Sequence, residues 1–357
     1  TACQGGRPAP LLYAQIDMEG YKVKAAVYRG IGKIVLEEID IPTLVENTAL
    51  LRVEAVGICG TDLKAYRRGH PFFQPPCILG HEVVGTVVKV AEPDNSDLVG
   101  RTFAIPPYLG CGNCELCRKG LSELCENKIW IGGAFVEYLV APVVLIRKTM
   151  CELHPGMNKS VATLTEPLAC AIHGVERMKP KETERVLVIG SGPIGLLISM
   201  ILRNMSCDPV IYELNVDRLT FAREMGFEAI DAKEIALSEI ASMTGKFDHV
   251  IVATDSASVI PEAFCCVKPG AKIELFGGMS RSTRLQLDPY HIHYEEVSLI
   301  GSFGFSARDF RTAFEELQIH SEIYSRVITA EYTLDEIVKA FGSAMESRNL
   351  KVVVKAI

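Results

Sequence analysis

The sequence predicts an α/β protein made of a β-rich unit and a doubly wound parallel sheet. Three features carry that expectation. Short β-type runs punctuated by Gly, Pro and Asp/Asn fill residues 22–145. Strands and helices alternate in βα order from residue 185 onward. A glycine turn joins the first of those strands to a helix. The length of 357 residues fits two domains at about 150 residues each. With 48% hydrophobic and 23% charged residues, 29 Gly and 18 Pro, disordered and fibrous classes are excluded. Lys plus Arg (37) minus Asp plus Glu (44) leaves −7, so no global positive field draws in nucleic acid or anionic lipid. The longest apolar run, 194–202, contains Ser199 and stops at Arg203, far short of the roughly 20 residues that span a bilayer.

Taken in order, residues 1–17 lack a basic region followed by an apolar core, so they read as a leader or remnant outside the fold rather than a secretory signal. A cytoplasmic location is the resulting expectation. The runs KAAVYR, ALLRVEAVGI, EVVGTVVKV, RTFAIPPY and AFVEYLVAPV alternate or are densely apolar, as strands are. EPLACAIHGVERM, from Glu166, has helical spacing. Strands are then expected at RVLVI, PVIYE, DHVIVA and AKIELFGG, with helices over 193–204, 216–225, 232–243 and 256–267. His291 and His293 alternate in a strand-like segment and read as structural. SLIGSFGF, a helix over 306–317 and the final LKVVVKAI close the chain, adding strands to the parallel sheet and then returning to the first unit.

Gly190-Ser191-Gly192-Pro193-Ile194-Gly195 follows a strand and opens a helix, the setting in which G-x-G-x-x-G binds a dinucleotide. Gly190 permits the tight turn, Gly192 lets a pyrophosphate approach the backbone, and Gly195 lets helix and strand pack closely. The helix N-terminus stabilises phosphate charge. Glu213 ends the next strand, where an acid accepts the adenosine ribose hydroxyls and repels a 2′-phosphate. NAD is therefore favoured over NADP, although Arg218 lies one helical turn away.

Twelve cysteines are too few for a disulfide scaffold, but Cys111, Cys114, Cys117 and Cys125 cluster in a turn-rich stretch. A closed Cys₄ shell leaves no open position, so structural zinc is expected, with an iron–sulfur cluster or reversible disulfides as rivals. Cys59 in GICGTD, His81 with Glu82 in GHE, and Glu166 in TEPLAC offer thiolate, imidazole and carboxylate. Three such ligands with a fourth position free suit a catalytic zinc. Taken singly, each has a plainer explanation: a small buried hydrophobe, a turn histidine, a first-turn acid. Cys170 and His173 share a helix face with Glu166 and form a rival set, but packing under the sheet is the favoured reading. Tyr66, Arg67 and Arg68 rim a pocket or form a solvated face, and Trp130 and Phe135 line a cleft or pack in a core.

Together these motifs, with GGAFVEY and GSGPIG, resemble the zinc-dependent medium-chain alcohol dehydrogenases from about Tyr21 to Ile357. The resemblance implies a GroES-like β catalytic domain (18–160 and 292–357) around a Rossmann NAD-binding domain (161–291). It places Cys59, His81 and Glu166 on the catalytic metal, with Glu82 as alternate ligand or close neighbour. Thr61 falls on the hydroxyl that starts proton export. Lys64 stands where relatives carry a relay His. Ala253, Ser302 and Phe303 join the glycine turn as cofactor contacts. Glu166 in E-P-L is similar to the sorbitol (polyol) branch, whereas Gly304 replaces an Arg common there. The implied activity is oxidation of a secondary hydroxyl of a polyol, cyclitol or sugar by NAD, with two zinc ions per chain, one catalytic and one structural. Zinc would supply the acidity that ionises the hydroxyl near neutral pH. Threonine or simple alcohol oxidation, or a silent NAD-binding structural protein, are the alternatives. The expected partner is a small alcohol, with no nucleic acid or membrane, in a homodimer or homotetramer.

Overall fold

A computed structural model describes residues 20–356, so the leader expected at residues 1–17 lies outside the described residues. Arg185–Ile189 is apolar and buried after its first residue, as befits a strand covered on both faces. Parallel neighbours extend it into a six-stranded sheet ordered Glu228–Asp231, Asp208–Glu213, Arg185–Ile189, Phe247–Val252, Val267–Leu275, Ser298–Gly301. In chain order this is 3-2-1-4-5-6. The order reverses between Arg185–Ile189 and Phe247–Val252, and the crevice outside the carboxyl ends of those strands is where such sheets hold ligands.

The other unit is organised on Thr48–Gly57, buried along nearly its whole length. Glu82–Val90 pairs with one edge, while Tyr138–Pro142 and Lys351–Lys355 share the other. Ile328–Thr333 then adds in parallel to Lys351–Lys355. The last strand of the chain is thereby stitched beside one of the first, through pairs such as Val354 with Val56. Helix Thr165–Met178 lies at the seam: Leu168 and Val175 share one apolar core with Val84 of the first unit, Val186 and Leu196 of the second, and Phe310 of helix Ala307–Ser325. Among the described residues no helix is long and apolar enough to cross a membrane.

Several expectations change. As read for SLIGSFGF, Ser298–Gly301 joins the parallel sheet by pairing with Val267–Leu275, covering a strand whose Ala271 and Ile273 are buried; what changes is the boundary at residue 291, since the chain returns to the first unit only after that strand. His291 and His293 sit on the short helix Pro289–His293, where Asp288 accepts the Tyr290 N–H and Pro289 opens the first turn. The helix expected over 232–243 is confined to Leu237–Thr244, behind a strand at Glu228–Asp231 that pairs with Asp208–Glu213. The helix expected over 256–267 shrinks to Val259–Ala263 and a 3₁₀ turn, Phe264–Cys266, as Val267 opens the next strand.

Candidate metal and dinucleotide sites

Cys59 caps the helix Gly60–Arg68, its sulfur accepting the Thr61 N–H at 3.4 Å. Three residues on, Asp62 returns the bond by accepting the Cys59 N–H at 2.9 Å, the reciprocal arrangement of a capping box. The other Asp62 oxygen accepts the Gly80 N–H at 3.1 Å and lies 3.5 Å from Nδ1 of His81. One fully buried carboxylate thus fixes both the cysteine's helix and the histidine's ring, leaving the imidazole's other nitrogen for a metal. Burial alone would lower the His81 pKa, but the Asp62 carboxylate and the Cys59 sulfur outweigh it and raise the value well above normal.

Glu82 follows directly on the strand Glu82–Val90, and its carboxylate fills the space above Gly57, where a Cβ would lie 2.0 Å from Oε2. Donor atoms of Cys59, His81 and Glu82 all lie within 4.8 Å of one another. That thiol–imidazole–carboxylate set fits zinc and leaves a coordination position over. Glu166 is not part of this tight set, yet it adjoins it: burial, opposed by His81 and reinforced by Glu82, pushes its pKa up to about 7. Both Glu82 oxygens also accept from Lys351 Nζ at 2.7 Å, and the Lys351 side chain is only 3% exposed. Cys170 packs against the seam core, as expected, and also points its sulfur at Glu166 Oε1 (3.8 Å), because it stands one turn after Glu166 on the same face. His173, another turn on, faces away to Asp309 at 3.0 Å.

Asp62, Lys351 and Tyr108 were not singled out from the sequence. Asp62 carried a signal, an acid at the third position after a capping Cys. Lys351 carried none, being 269 residues from its partner. Thr61 lies beside the Cys59 sulfur. Lys64 donates to the Gly278 carbonyl at 3.4 Å and faces Asp255 at 3.6 Å, reaching the nucleotide unit rather than a free path to solvent. Arg68 faces the same Asp255 at 3.7 Å, and Tyr66 packs on Phe341. Phe135 is core, whereas Trp130 stays 57% exposed against Tyr108.

In the four-cysteine loop, sulfur–sulfur separations of 3.5, 3.7 and 4.0 Å link Cys125–Cys111, Cys114–Cys125 and Cys111–Cys117. Tetrahedral zinc with 2.3 Å bonds requires about 3.8 Å between sulfurs, whereas a disulfide requires about 2.0 Å. The spacing fits the ion and not the disulfide. Backbone N–H groups of Asn113 and Cys114 draw the Cys111 thiol down to about 6, while burial pushes Cys117 up to about 12.

At the dinucleotide turn, Gly190 has φ +98°, and a Cβ on Gly195 would lie 1.9 Å from the Gly190 oxygen, so close helix–strand contact demands glycine. Gly192 caps the helix Pro193–Asn204, with Pro193 at its first position and Ile194 packed toward the core. Ala253 packs against Gly190 and Gly195 from the neighbouring strand end. Glu213 is buried; Oε2 accepts from the Ser191 N–H (2.6 Å) and hydroxyl (2.9 Å), and Oε1 from the Asn215 N–H. Arg218 lies 3.7 Å from the Cβ position of Gly192, with Nε unpartnered. The Ser302 hydroxyl is buried toward the Glu274 carboxylate, outside strict hydrogen-bond geometry, and Phe303 is exposed.

A 3-2-1-4-5-6 sheet with this glycine turn, joined at a seam to a β unit that gathers metal-binding donors, defines a dinucleotide- and metal-dependent enzyme class. Residues 45–149 match the alcohol dehydrogenase GroES-like domain and residues 159–356 the glucose dehydrogenase C-terminus. The chain belongs to the zinc-type medium-chain alcohol dehydrogenase family and is an oxidoreductase. It is 31% identical over 319 residues to D-altritol 5-dehydrogenase of Agrobacterium fabrum, covering 87% of this chain and 92% of that one. An alcohol dehydrogenase of Escherichia coli CFT073 complexed with NADH superposes with TM-score 0.84 at 26% identity, covering 94% and 100% of the two chains. A putative zinc-binding dehydrogenase of Sinorhizobium meliloti bound to NADP gives the same TM-score of 0.84, identity of 26% and coverage of 94% and 100%.

Proposed function

We propose that the chain oxidises a secondary hydroxyl of a polyol, cyclitol or sugar-type substrate to a ketone, with NAD⁺ accepting the hydride and two zinc ions bound per chain. The observation that carries this reading is the convergence of Cys59, His81 and Glu82, with Glu166 beside them, in a donor set chemically matched to zinc. The D-altritol relative supports a polyol. When bound, the ion supplies Lewis acidity, which brings an oxygen acid such as water from 15.7 to about 7. Asp62 holds the His81 ring through Nδ1. Thr61, next in line, offers a hydroxyl to the substrate oxygen. Glu166, pushed up to about 7, holds or releases a proton at its carboxyl near neutral pH. The Cys₄ set takes the second, structural ion, which pins a loop with little apolar content of its own.

NAD is favoured over NADP because Glu213 places a buried carboxylate at the end of Asp208–Glu213, tied to the glycine loop, where a 2′-phosphate would meet its charge. All described cysteines are free, which suits a reducing compartment and supports a cytoplasmic location. Self-association uses the open edge strand Ser298–Gly301. The test is NAD⁺ reduction over polyols, cyclitols, threonine and simple secondary alcohols. Turnover should be confined to the first two groups and lost in Cys59→Ala and Glu166→Ala; full activity in both variants would refute the site.

A further inference from the structure

At the seam between the two units, Lys128 follows the last zinc-loop cysteine by three residues and projects among three rings. Its Nζ lies 5.0 Å from the centroid of Tyr108, 5.7 Å from Trp130 and 5.3 Å from Phe303. Aromatic faces orient a cation without neutralising it. No carboxylate lies within ion-pair distance of Lys128 among the described residues, Glu123 and Cys125 acting only as more distant charges. Neighbouring cations are engaged: Lys64 with Gly278 and Asp255, Arg68 with Asp255, Arg177 with the Gly301 carbonyl, Lys351 with Glu82. Lys128 is half-buried, and Trp130 and Phe303 beside it are 57% and 55% exposed, so the box opens outward.

Tyr108 links this box to the reaction centre. Its ring packs on Trp130 at 4.9 Å and stacks on Phe305 at 4.9 Å, and its hydroxyl accepts the Phe305 N–H at 3.2 Å. Tyr108 shares a core with Leu168 and Ala169 of the helix Thr165–Met178, and Cys170, whose sulfur approaches Glu166 Oε1 at 3.8 Å, packs against that same core. Gly304, at φ +65°, leaves the space the tyrosine needs: a Cβ there would lie 2.0 Å from the hydroxyl oxygen. The ammonium therefore stands one aromatic ring away from the groups that flank the metal-binding donors.

We propose that Lys128 is a specificity residue that grips an anionic terminal group, carboxylate or phosphate, of the polyol substrate. This rests on the proposed polyol chemistry. A substrate whose reacting carbinol sits at the Cys59–His81–Glu82 set extends its far end past Tyr108 to the ammonium, as a linear sugar acid or sugar-alcohol phosphate does and a neutral polyol does without recompense. A Lys ammonium attracts a carboxylate or phosphate as a point charge through charge-assisted hydrogen bonds.

Trp130 is the sole tryptophan of the chain, and it borders the box, so its fluorescence reads occupancy directly and independently of turnover. The holoenzyme is titrated with D-gluconate, sorbitol 6-phosphate and sorbitol, in wild type, Lys128→Met and Lys128→Arg, with zinc content measured for each. At least one anion should bind tenfold or more tightly than sorbitol, the Met variant should erase that preference at unchanged zinc content, and Arg should restore it. Gluconate or the phosphate winning identifies which anion is read. Equal binding of all three compounds, or an anion preference that survives Lys128→Met, overturns the proposal, as does loss of zinc in the Met variant. NAD⁺ reduction run in parallel separates the two readings: anion preference without oxidation of any polyol refutes the polyol chemistry and leaves the anion site standing.

Discussion

Glu82 has two claimants. Its carboxylate is within reach of the Cys59 and His81 donors, yet both oxygens also accept from buried Lys351. A metal and an ammonium sharing one carboxylate hold it in place from two sides, in the space that Gly57 leaves by lacking a Cβ. Glu166, adjacent but outside the tight set, is free to exchange a proton. Glu82→Gln should therefore lower zinc from about two to about one per chain, whereas Glu166→Gln should keep both ions and lose kcat by about 10²–10⁴-fold, the usual worth of a positioned acid–base group. Metal analysis beside steady-state kinetics checks the pair. Lys351→Met leaves the Glu82 charge buried without its partner in the metal-free chain, a change that costs about 3–5 kcal/mol. Urea unfolding of the chelated protein measures it, and a loss under 1 kcal/mol would show that the lysine is expendable.

At the scale of elements, the strand–glycine–helix unit was legible in the sequence because its signals are local: an apolar run, a turn that only glycine can make, and a helix opening on proline. Gly195→Ala tests that reading. The added Cβ would overlap the Gly190 oxygen, and overpacking of about 1–3 kcal/mol, if it falls on the bound loop, corresponds to about 5–150-fold weaker NAD⁺ binding, seen as a rise in KM for NAD⁺. The cysteine loop was legible for the same reason, through spacing. Boundaries were not legible where pairing decides them, as at Glu228–Asp231, which falls between two expected helices and takes its strand character from pairing with Asp208–Glu213. Nor was Glu274 visible in AKIELFGG. In the strand Val267–Leu275 it alternates with buried Ile273, but it points under helix Thr165–Met178 at Gly174, with neither oxygen in hydrogen-bond geometry. Burial pushes its pKa up, with the Ser302 hydroxyl, Arg177 and His173 pulling less strongly the other way. A raised acid binds its proton more tightly in the folded state, so its contribution is complete below the ordinary Glu range and is lost as pH rises through the raised value. Glu274→Gln should thus raise Tm by a few degrees at pH 8 and by little at pH 4.5, read by thermal denaturation at both. An equal shift at both would assign the effect to packing.

The whole molecule leaves one sheet edge of a suggestive kind. The parallel sheet ends on one side at Glu228–Asp231, which carries acids at both ends and deters pairing. It ends on the other side at Ser298–Gly301, an uncharged strand, SLIG, with one free row of backbone donors and acceptors. Exposed Tyr290, Ile292 and Tyr294 stand on and just after the preceding helix Pro289–His293. An uncharged open edge flanked by exposed aromatics invites a second copy, because antiparallel pairing of two such strands about a two-fold axis satisfies both edges at once and buries the rings. This geometry favours a dimer as the first assembly step: the described residues of each chain present one such edge, and joining two of them uses both. Light scattering of the wild type should give twice the chain mass. Ile300→Lys puts a charge on the edge without touching either metal-binding set or the glycine turn, and it should yield monomers that retain both zinc ions. An unchanged mass for that variant would move the interface elsewhere on the surface.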